Sequence, residues 1–370
     1  MKEQNTAIEY ISMALEIISK KINSDQYYIL NEAELQSQLY LELTKLLNET
    51  VEVEVPNCVI FPDDFRHQEI NTRIFREIRL DKNLGKKNIK PDLTIYKSSK
   101  LIALPKKNKA ISSWKGEIEL IIELKFNVSK NSSLKDLKKY DKEDSTPVIY
   151  INYKPNKTGI TWEENYIELG GKGNIQAVAK THNIDLRHVL RSINKVHKRY
   201  CKHPASMIRE KDFESWISFE LENIVDVNTC DIISDNKVIG STTAIRNQIT
   251  PLSFIKRRHD ILIVDSLELP SKVGCRQNVL STFAEVEIKT SHSNSHNWFD
   301  GRLNDEFDKM TEFNKRFKGV PIFVMFRLGS IIYLEDYLNA VKSYPQIRFL
   351  YLCSDGTAYD GLTRFNVHLL

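Results

Sequence analysis

The order of predicted helices and strands repeats once along this 370-residue chain. In the first half, an amphipathic helix over 31–47 is followed by strand patterns at 51–55, 72–80, 92–96, 117–126 and 147–153, with a charged helix at 132–144. In the second half, a helix over 210–221 precedes strands at 260–264, 279–289, 320–326 and 347–352, with a helix at 300–317. Solenoid repeats are only ~20–50 residues long, so this pattern indicates duplication of a whole α/β domain.

The domain boundary is predicted at the polar, glycine-containing segment 154–174. We therefore expect an N-terminal domain over 1–153, a linker over 154–205 and a C-terminal domain over 206–370. The five cysteines include no CxxC pair, which argues against a zinc knuckle or a disulfide framework and favours a reducing cytoplasm. Apolar runs such as 320–326 are much shorter than the ~20 residues that span a bilayer, so we expect no membrane partner.

Each half carries an aspartate followed by a Glu-x-Lys pair on a later strand. In the first half these residues are Asp92, Glu123 and Lys125, and in the second half they are Asp260, Glu287 and Lys289. Side chains alternate between the faces of a strand, so the glutamate and the lysine of each pair project from the same face. An isolated pair of this kind is usually a surface ion pair. The aspartates lie 168 residues apart, and the glutamates and the lysines 164, so the recurrence favours a functional site.

These residues resemble the motif of the PD-(D/E)XK, or restriction-endonuclease-like, nuclease superfamily. The resemblance is carried by Pro91-Asp92 with Glu123-Leu124-Lys125, and by Asp260 with Glu287-Ile288-Lys289, where His259 replaces the proline. It implies an α/β fold of two restriction-endonuclease-like domains, each with a mixed central β-sheet flanked by helices, joined here by a basic helical linker.

The resemblance also implies a ligand set for Mg²⁺ or Mn²⁺. In the first domain the ligands would be Asp92, Glu123 and the main-chain carbonyl of Leu124, and in the second they would be Asp260, Glu287 and the carbonyl of Ile288. Lys125 and Lys289 would position or deprotonate the attacking water. Phosphodiester hydrolysis needs stabilised charge on the phosphate and a nucleophilic water, and a divalent ion held by carboxylates supplies both.

Many members of this superfamily place a further acid on the first helix. When the apolar faces of 31–47 and 210–221 are aligned, Glu32 matches Glu210, Glu34 matches Asp212, and Gln36 matches Glu214. We favour the pair Glu32 and Glu210 and leave the other two pairs open.

The basic segment 175–202 permits two interpretations. Residues 186–209 hold seven arginines and lysines and no acid, although the whole chain has a net charge of only +4. One interpretation is a helix-turn-helix, with Ala179 at the helix crossing and Asn183 at the turn. Its second helix would present Arg187, Arg191, Lys195 and Lys198 to DNA. The other interpretation is a two-helix linker with a basic face.

These observations predict a Mg²⁺- or Mn²⁺-dependent DNA endonuclease that acts in restriction or anti-phage defence. The alternatives are a nucleic-acid-binding scaffold subunit with one or both nuclease sites inactive, and an RNA-cleaving nuclease of the same fold. DNA is the expected partner, and RNA is not excluded by the motif. The protein partners left open are a second copy of the chain and the other subunits of a defence complex.

Overall fold

The computed structural model describes residues 6–24, 29, 31–59, 61–77, 80, 89–105, 111–132, 140, 146–171, 178–181, 185–223, 229–234, 237–243, 245–251, 258–268, 276–291, 302–330 and 332–360. These residues form two units, one containing those up to 171 and the other those from 178 onward. The fold class is α/β, with mixed sheets and helices, as predicted. No helix in the described ranges is long and apolar enough to cross a membrane.

The first unit begins with two helices, α1 (Ala7–Asn23) and α2 (Glu32–Leu47). Its described strands are β1 (Val51–Glu54), β2 (His67–Ile70), β3 (Ile74–Arg76), β4 (Leu93–Tyr96), β5 (Lys100–Pro105), β6 (Ile111–Lys115), β7 (Ile118–Phe126), β8 (Val148–Pro155), β9 (Ile160–Glu163) and β10 (Tyr166–Gly171). They form a six-stranded sheet in the order β3-β4-β7-β8-β10-β9 and a four-stranded sheet in the order β2-β1-β5-β6.

Helix α1 was not predicted from the sequence, although its start carries a clear signal. The Thr6 hydroxyl accepts the main-chain N–H of Glu9, and the Glu9 carboxylate accepts the main-chain N–H of Thr6. This reciprocal pair is a capping box, which satisfies two helix-terminal donors. Ile11, Leu15 and Ile18 are buried on one face of α1, and burial of this apolar stripe stabilises the helix against the rest of the unit.

The second unit contains α3 (Leu186–Lys202), α4 (Glu210–Glu222), α5 (Arg302–Phe317) and α6 (Leu334–Lys342). Its described strands are β11 (Val178–Thr181), β12 (Thr229–Ser234), β13 (Lys237–Thr243), β14 (Ile245–Pro251), β15 (His259–Glu268), β16 (Arg276–Ser291), β17 (Val320–Arg327), β18 (Arg348–Cys353) and β19 (Ala358–Asp360). They form one sheet in the order β13-β12-β11-β15-β14-β16-β17-β18-β19, and β15 also pairs with β16. The apolar run at 321–326 is buried throughout, as expected for a strand with parallel neighbours on both sides.

Six strands of the second sheet repeat the pairing of the six-stranded sheet in the first unit. In the first unit β3, β4 and β7 are antiparallel neighbours, β7, β8 and β10 are parallel, and β9 is antiparallel to β10. In the second unit β14, β15 and β16 are antiparallel neighbours, β16, β17 and β18 are parallel, and β19 is antiparallel to β18. Two helices precede these strands in each unit. The units differ in chain order at the edge, because β9 precedes β10 whereas β19 follows β18.

Two predictions for the middle of the chain are wrong. The first helix of the predicted helix-turn-helix would include Val178–Thr181, which instead form β11 between β12 and β15. Only the second helix is present, as α3. The predicted linker over 154–205 is also wrong, because β9 and β10 belong to the first unit and α3 belongs to the second. Pairing with distant strands overrides the local helical pattern. The charged helix predicted at 132–144 falls mainly outside the described residues.

Candidate metal and catalytic sites

Strand register places Asp92 directly opposite Glu123. The antiparallel strands β4 and β7 pair Leu93 with Ile122. Asp92 precedes Leu93 and Glu123 follows Ile122, so these two residues face each other next. The Asp92 Oδ2 atom accepts a hydrogen bond from the main-chain N–H of Leu124 at 2.7 Å. Glu123 is only 4% exposed. The register and this hydrogen bond therefore hold two carboxylates side by side in a largely buried position.

Lys125 completes this cluster, which we call the first site (Asp92, Glu123 and Lys125). Its Nζ lies 3.5 Å from Glu123 Oε2 and donates to the main-chain carbonyl of Leu124 at 2.9 Å. On the other side, the Tyr140 hydroxyl donates to Glu123 Oε1. Sequence reasoning missed Tyr140, because nothing in its charged surroundings distinguishes it from a surface residue. The three predicted residues lie together, and a tyrosine holds the glutamate from the opposite side.

The second site (Asp260, Glu287 and Lys289) has the same construction. Strands β15 and β16 pair Ile261 with Val286, which places Asp260 opposite Glu287. Asp260 Oδ2 accepts the main-chain N–H of Ile288 at 2.8 Å. Lys289 Nζ donates to Glu287 and to the carbonyl of Ile288, the latter at 3.1 Å, and lies 3.9 Å from Asp260 Oδ2. The structure therefore brings all six predicted catalytic residues into two clusters of the same geometry.

The carboxylates of each site destabilise one another's charged forms. Burial and the nearby Glu123 raise the pKa of Asp92 to about 7, although the Leu124 N–H and Lys125 oppose the rise. In the second site, burial and Glu287 raise the pKa of Asp260 well above its ordinary value. Such repulsion between adjacent buried acids is relieved when a cation lies between them. Each site can therefore lower this repulsion by holding either a proton or a cation.

Burial lowers the pKa of Lys289, but the neighbouring carboxylates of Glu287, Asp260 and Glu210 outweigh this effect and raise it above its ordinary value. Lys289 is thus the local countercharge of the second site. Its ammonium group is a hydrogen-bond donor at neutral pH and adds to the positive charge near the carboxylates.

Acids on α2 and α4 lie near both sites, and the pair Glu32 and Glu210 favoured from the sequence is among them. Glu32 is close enough to raise the pKa of Asp92. Burial raises the pKa of Glu210, and Glu287 raises it further, while Lys289 lowers it. Asp212 has a different role, since its Oδ2 accepts the main-chain N–H groups of Ile208 and Arg209 and caps helix α4. Glu32 on α2 and Glu210 on α4 therefore act electrostatically on residues of their sites, and Glu214 on α4 does so as well, because it raises the pKa of Asp260.

The two sites differ at the helix position occupied by Gln36 in α2 and Glu214 in α4. The Gln36 Nε2 donates to the main-chain carbonyl of Asp92 at 2.9 Å, and its Oε1 accepts from Arg76 at 2.8 Å. Glu214 Oε2 instead accepts from Gln248 Nε2 at 3.0 Å, and the same nitrogen lies 3.0 Å from Asp260 Oδ1. The second site thus includes an additional buried carboxylate, which the Gln248 amide connects to Asp260.

The donors available in each site fit a magnesium or manganese ion. Among the described residues, no group of three or more His, Cys, Asp and Glu side chains is arranged to hold a metal. The predicted set is smaller, with two carboxylates and one main-chain carbonyl, which is fewer donors than an octahedral ion needs, so water and substrate oxygens would supply the rest. Mg²⁺ and Mn²⁺ prefer such oxygen donors, and Mg²⁺ commonly uses only one or two carboxylates. The carbonyls of Leu124 and Ile288 accept a lysine hydrogen bond but have a second lone pair.

The four predicted nucleic-acid-binding residues all lie on α3. Arg187, Arg191, Lys195 and Lys198 are exposed, while Val189, Ile193 and Val196 on the opposite side of the helix are buried. The prediction of a basic helix face is therefore correct, although the helix-turn-helix that contained it is not.

A comparison with protein-family models found no matching family, and comparisons with curated proteins and with solved structures found no match either. The geometry of the chain itself is therefore what bears on its function. That geometry consists of two α/β units, each with adjacent buried carboxylates on antiparallel strands and a lysine beside them.

Proposed function

We propose that this chain is a metal-dependent DNA endonuclease with two restriction-endonuclease-like domains, each of which hydrolyses phosphodiester bonds. The observation that carries the proposal is the repeated cluster. In each unit one residue separates the glutamate from the lysine, Leu124 in the first and Ile288 in the second. Its main-chain N–H donates to the aspartate, and its main-chain carbonyl accepts from the lysine. Buried acids with raised pKa values beside a charge partner are typical of functional sites.

In this proposal Asp92, Glu123 and the Leu124 carbonyl would hold the ion of the first site. Asp260, Glu287 and the Ile288 carbonyl would hold that of the second. When bound, Mg²⁺ or Mn²⁺ would lower the pKa of a water and neutralise charge on the phosphate. The main-chain N–H bonded to each aspartate fixes the position of one carboxylate oxygen.

Lys125 and Lys289 are the residues proposed to act on the attacking water. Each ammonium lies beside the glutamate of its site, so it can donate a hydrogen bond that orients the water, whereas deprotonation of the water would require the neutral amine. Glu32 and Glu210 add negative charge at the edge of the sites and would strengthen cation binding. The expected cellular role is restriction or anti-phage defence in the cytoplasm, as a monomer with two sites, as a homodimer or within a defence complex. The fold alone does not choose among such roles.

The proposal is tested by incubating the purified protein with supercoiled plasmid in Mg²⁺, in Mn²⁺ and in EDTA. We expect linear product with either metal and none in EDTA. Lys125→Ala and Lys289→Ala should each convert double-strand cutting into nicking, because each removes one of two sites. Lys97→Ala is a matched control, since Lys97 forms an exposed ion pair with Glu117 and should cut as the wild type does.

Other outcomes would change the proposal in defined ways. Cutting that persists in EDTA would contradict the carboxylate mechanism. Loss of all cutting from one lysine variant would contradict the division of labour, and full activity would mark that copy as non-catalytic. Nucleic-acid binding without Mg²⁺ or Mn²⁺ binding in isothermal titration calorimetry would favour the scaffold. Cleavage of RNA alone, with single- and double-stranded DNA compared in parallel, would favour the RNA-cleaving nuclease.

A further inference from the structure

Helix α3 carries a continuous row of exposed cations that the two carboxylate sites do not use. We name it the cationic ridge, and its members are Arg187, Arg191, Lys195, Lys198 and Lys202. Their spacing of three or four residues places them on one face of the helix. At ~1.5 Å per residue the ridge is about 22 Å long. The opposite face is buried in the unit through Val189, Ile193, Val196 and Tyr200.

Much of this positive charge is not neutralised within the described part of the chain. Arg187 pairs with Asp185 at 2.5 Å, and Lys195 pairs with Glu220 at 2.8 Å. Arg191, Lys198 and Lys202 form no ion pair with any residue that the structure describes. Exposed surface pairs contribute little free energy and exchange readily with other anions. The ridge therefore offers three free cations and two more whose acidic partners are on the surface.

The shared fold does not require this row of cations. Helices α1 and α3 hold the same place in the two units: α1 precedes α2, which carries Glu32, and α3 precedes α4, which carries Glu210. Both α1 and α3 are 17 residues long. The exposed side chains of α1 are Ile8, Glu9, Met13, Glu16, Lys20 and Asn23, so only one of them is basic. One helix of the pair is thus strongly basic on its outer face and the other is not, so the ridge is a property of the second unit.

The ridge ends close to the second site along the chain. Helices α3 and α4 pack against each other, and the Arg199 guanidinium lies 3.5 Å from the centroid of the Trp216 ring. Only residues 203–209 connect Lys202 to Glu210, the acid whose pKa responds to Lys289 and Glu287. The Lys202 end of the ridge is therefore the end that the chain connects to the second site, and Arg187 lies at the other end of the ridge.

We propose that the cationic ridge binds the sugar-phosphate backbone of a DNA duplex engaged by the second site. This inference rests on the proposed endonuclease function and adds the surface that holds its substrate. Duplex DNA carries one negative charge per ~1.7 Å of its axis, so a row about 22 Å long can contact several phosphates in sequence. Long, exposed Arg and Lys side chains suit contacts that position a duplex without reading its sequence.

The test measures DNA binding apart from cleavage. A fluorescein-labelled 30-base-pair duplex is titrated with the full-length protein in EDTA over a range of salt concentrations. The ridge variant combines Arg191→Gln, Lys198→Gln and Lys202→Gln. Loss of three phosphate contacts should reduce the slope of log Kobs against log salt by about 2.7 and weaken binding at 0.1 M salt by about 10²–10³-fold.

A control variant, Lys20→Gln, Lys97→Gln and Lys115→Gln, removes the same formal charge from exposed lysines of the first unit. Its slope should change by less than half as much. If the two variants weaken binding equally, only net charge matters and the ridge proposal fails. It also fails if the ridge variant binds the duplex as the wild type does.

Two further ligands test whether something other than duplex DNA binds the ridge. Ridge-dependent binding to single-stranded RNA, or to phosphatidylcholine vesicles containing phosphatidylserine, without duplex binding would overturn the assignment to DNA. The plasmid assay separates this inference from the proposed function. Cleavage with no effect of the ridge variant would reject the ridge and retain the endonuclease. Ridge-dependent duplex binding without cleavage in Mg²⁺ or Mn²⁺ would retain the ridge and reject the endonuclease.

Discussion

Replacing Asp92 by asparagine should stabilise the metal-free protein and abolish the response of the first site to metal. The Asp92 carboxylate lies opposite Glu123 and accepts the Leu124 N–H at 2.7 Å. Asparagine has nearly the same shape, and its amide oxygen can accept the same N–H. The substitution therefore removes a charge from a crowded acidic position and retains the local contact.

The magnitude follows from the pKa of Asp92, which rises from 3.8 to about 7. Between these values the unfolded chain releases its proton and the folded chain retains it, so the free energy of unfolding falls as pH rises. At ~1.36 kcal/mol per unit, the loss is about 1.5 kcal/mol at pH 5 and about 4 kcal/mol above pH 7. Relaxation and entry of water reduce the cost of a buried charge. We therefore expect Asp92→Asn to add about 2–4 kcal/mol at pH 8 and almost nothing at pH 4.

The assay is urea denaturation of the full chain, followed by far-UV circular dichroism in EDTA at pH 4, 5 and 8. The matched control is Asp64→Asn, since Asp64 is an exposed acid of the same unit; its effect should remain within about 0.5 kcal/mol. Saturating Mn²⁺ should stabilise the wild type, by about 2.7 kcal/mol at one hundred times the Kd. It should stabilise the first unit of Asp92→Asn much less.

Two results would refute this reasoning. If Asp92→Asn is less stable than the wild type in EDTA at pH 8, the charged carboxylate stabilises the fold and is not held there for a cation. If the gain is the same at pH 4 and pH 8, it does not arise from titration of Asp92, and the repulsion from Glu123 is not its cause.

Two further predictions concern the second unit. Glu214→Gln should preserve the fold, because Gln248 can hydrogen-bond an amide oxygen as well as a carboxylate, but it should weaken Mn²⁺ binding to the second site by about 10-fold, measured by isothermal titration calorimetry. An unchanged affinity would show that this acid does not contribute to the ion's environment. Burial lowers the pKa of His197 below 6.5, despite the main-chain carbonyl that contacts its ring. The unfolded chain therefore binds a proton below about pH 6.5 that the folded chain does not, so the contribution of His197 to the free energy of unfolding falls as pH decreases from 7 to 5, opposite in sign to that of Asp92. In the same urea assay, the stability of His197→Gln relative to the wild type should therefore rise as pH decreases from 7 to 5.

The sequence predicted the elements that carry the sites because their signals are local. Alternation in 117–126 and 279–289 showed which side chains share a face, and the observed strands β7 (Ile118–Phe126) and β16 (Arg276–Ser291) cover these segments except for Glu117. The helix predicted over 31–47 is observed as Glu32–Leu47. The repeated spacing of aspartate, glutamate and lysine also predicted that each set lies in one cluster, because residues at the ends of adjacent antiparallel strands can be arranged in few ways.

The rest could not be predicted because it depends on contacts between distant parts of the chain. Residues 178–181 form a strand only because β12 and β15 are available on both sides. Tyr140 contacts Glu123 from a different segment, and Gln248 joins a helix to a strand. No local pattern marks such partners. The capping box of α1 was available in the sequence at Thr6 and Glu9 and could have indicated that helix.

The backbone beside the two aspartates gives an independent reason to treat them as functional. Arg76 pairs with Leu93, so the next residue, Glu77, lies opposite Asp92. Gln248 lies opposite Asp260, because its neighbours Asn247 and Ile249 pair with the neighbours of Asp260. Both have left-handed backbones, with φ of 44° and 55°. A non-glycine residue in this region costs of order 1–2 kcal/mol and persists only where the surrounding structure imposes it. The same strain therefore recurs beside the same carboxylate in both units, although the helix side chains nearby differ. Placement of the aspartate is what the two units share, which is the expected result if each aspartate must meet a ligand.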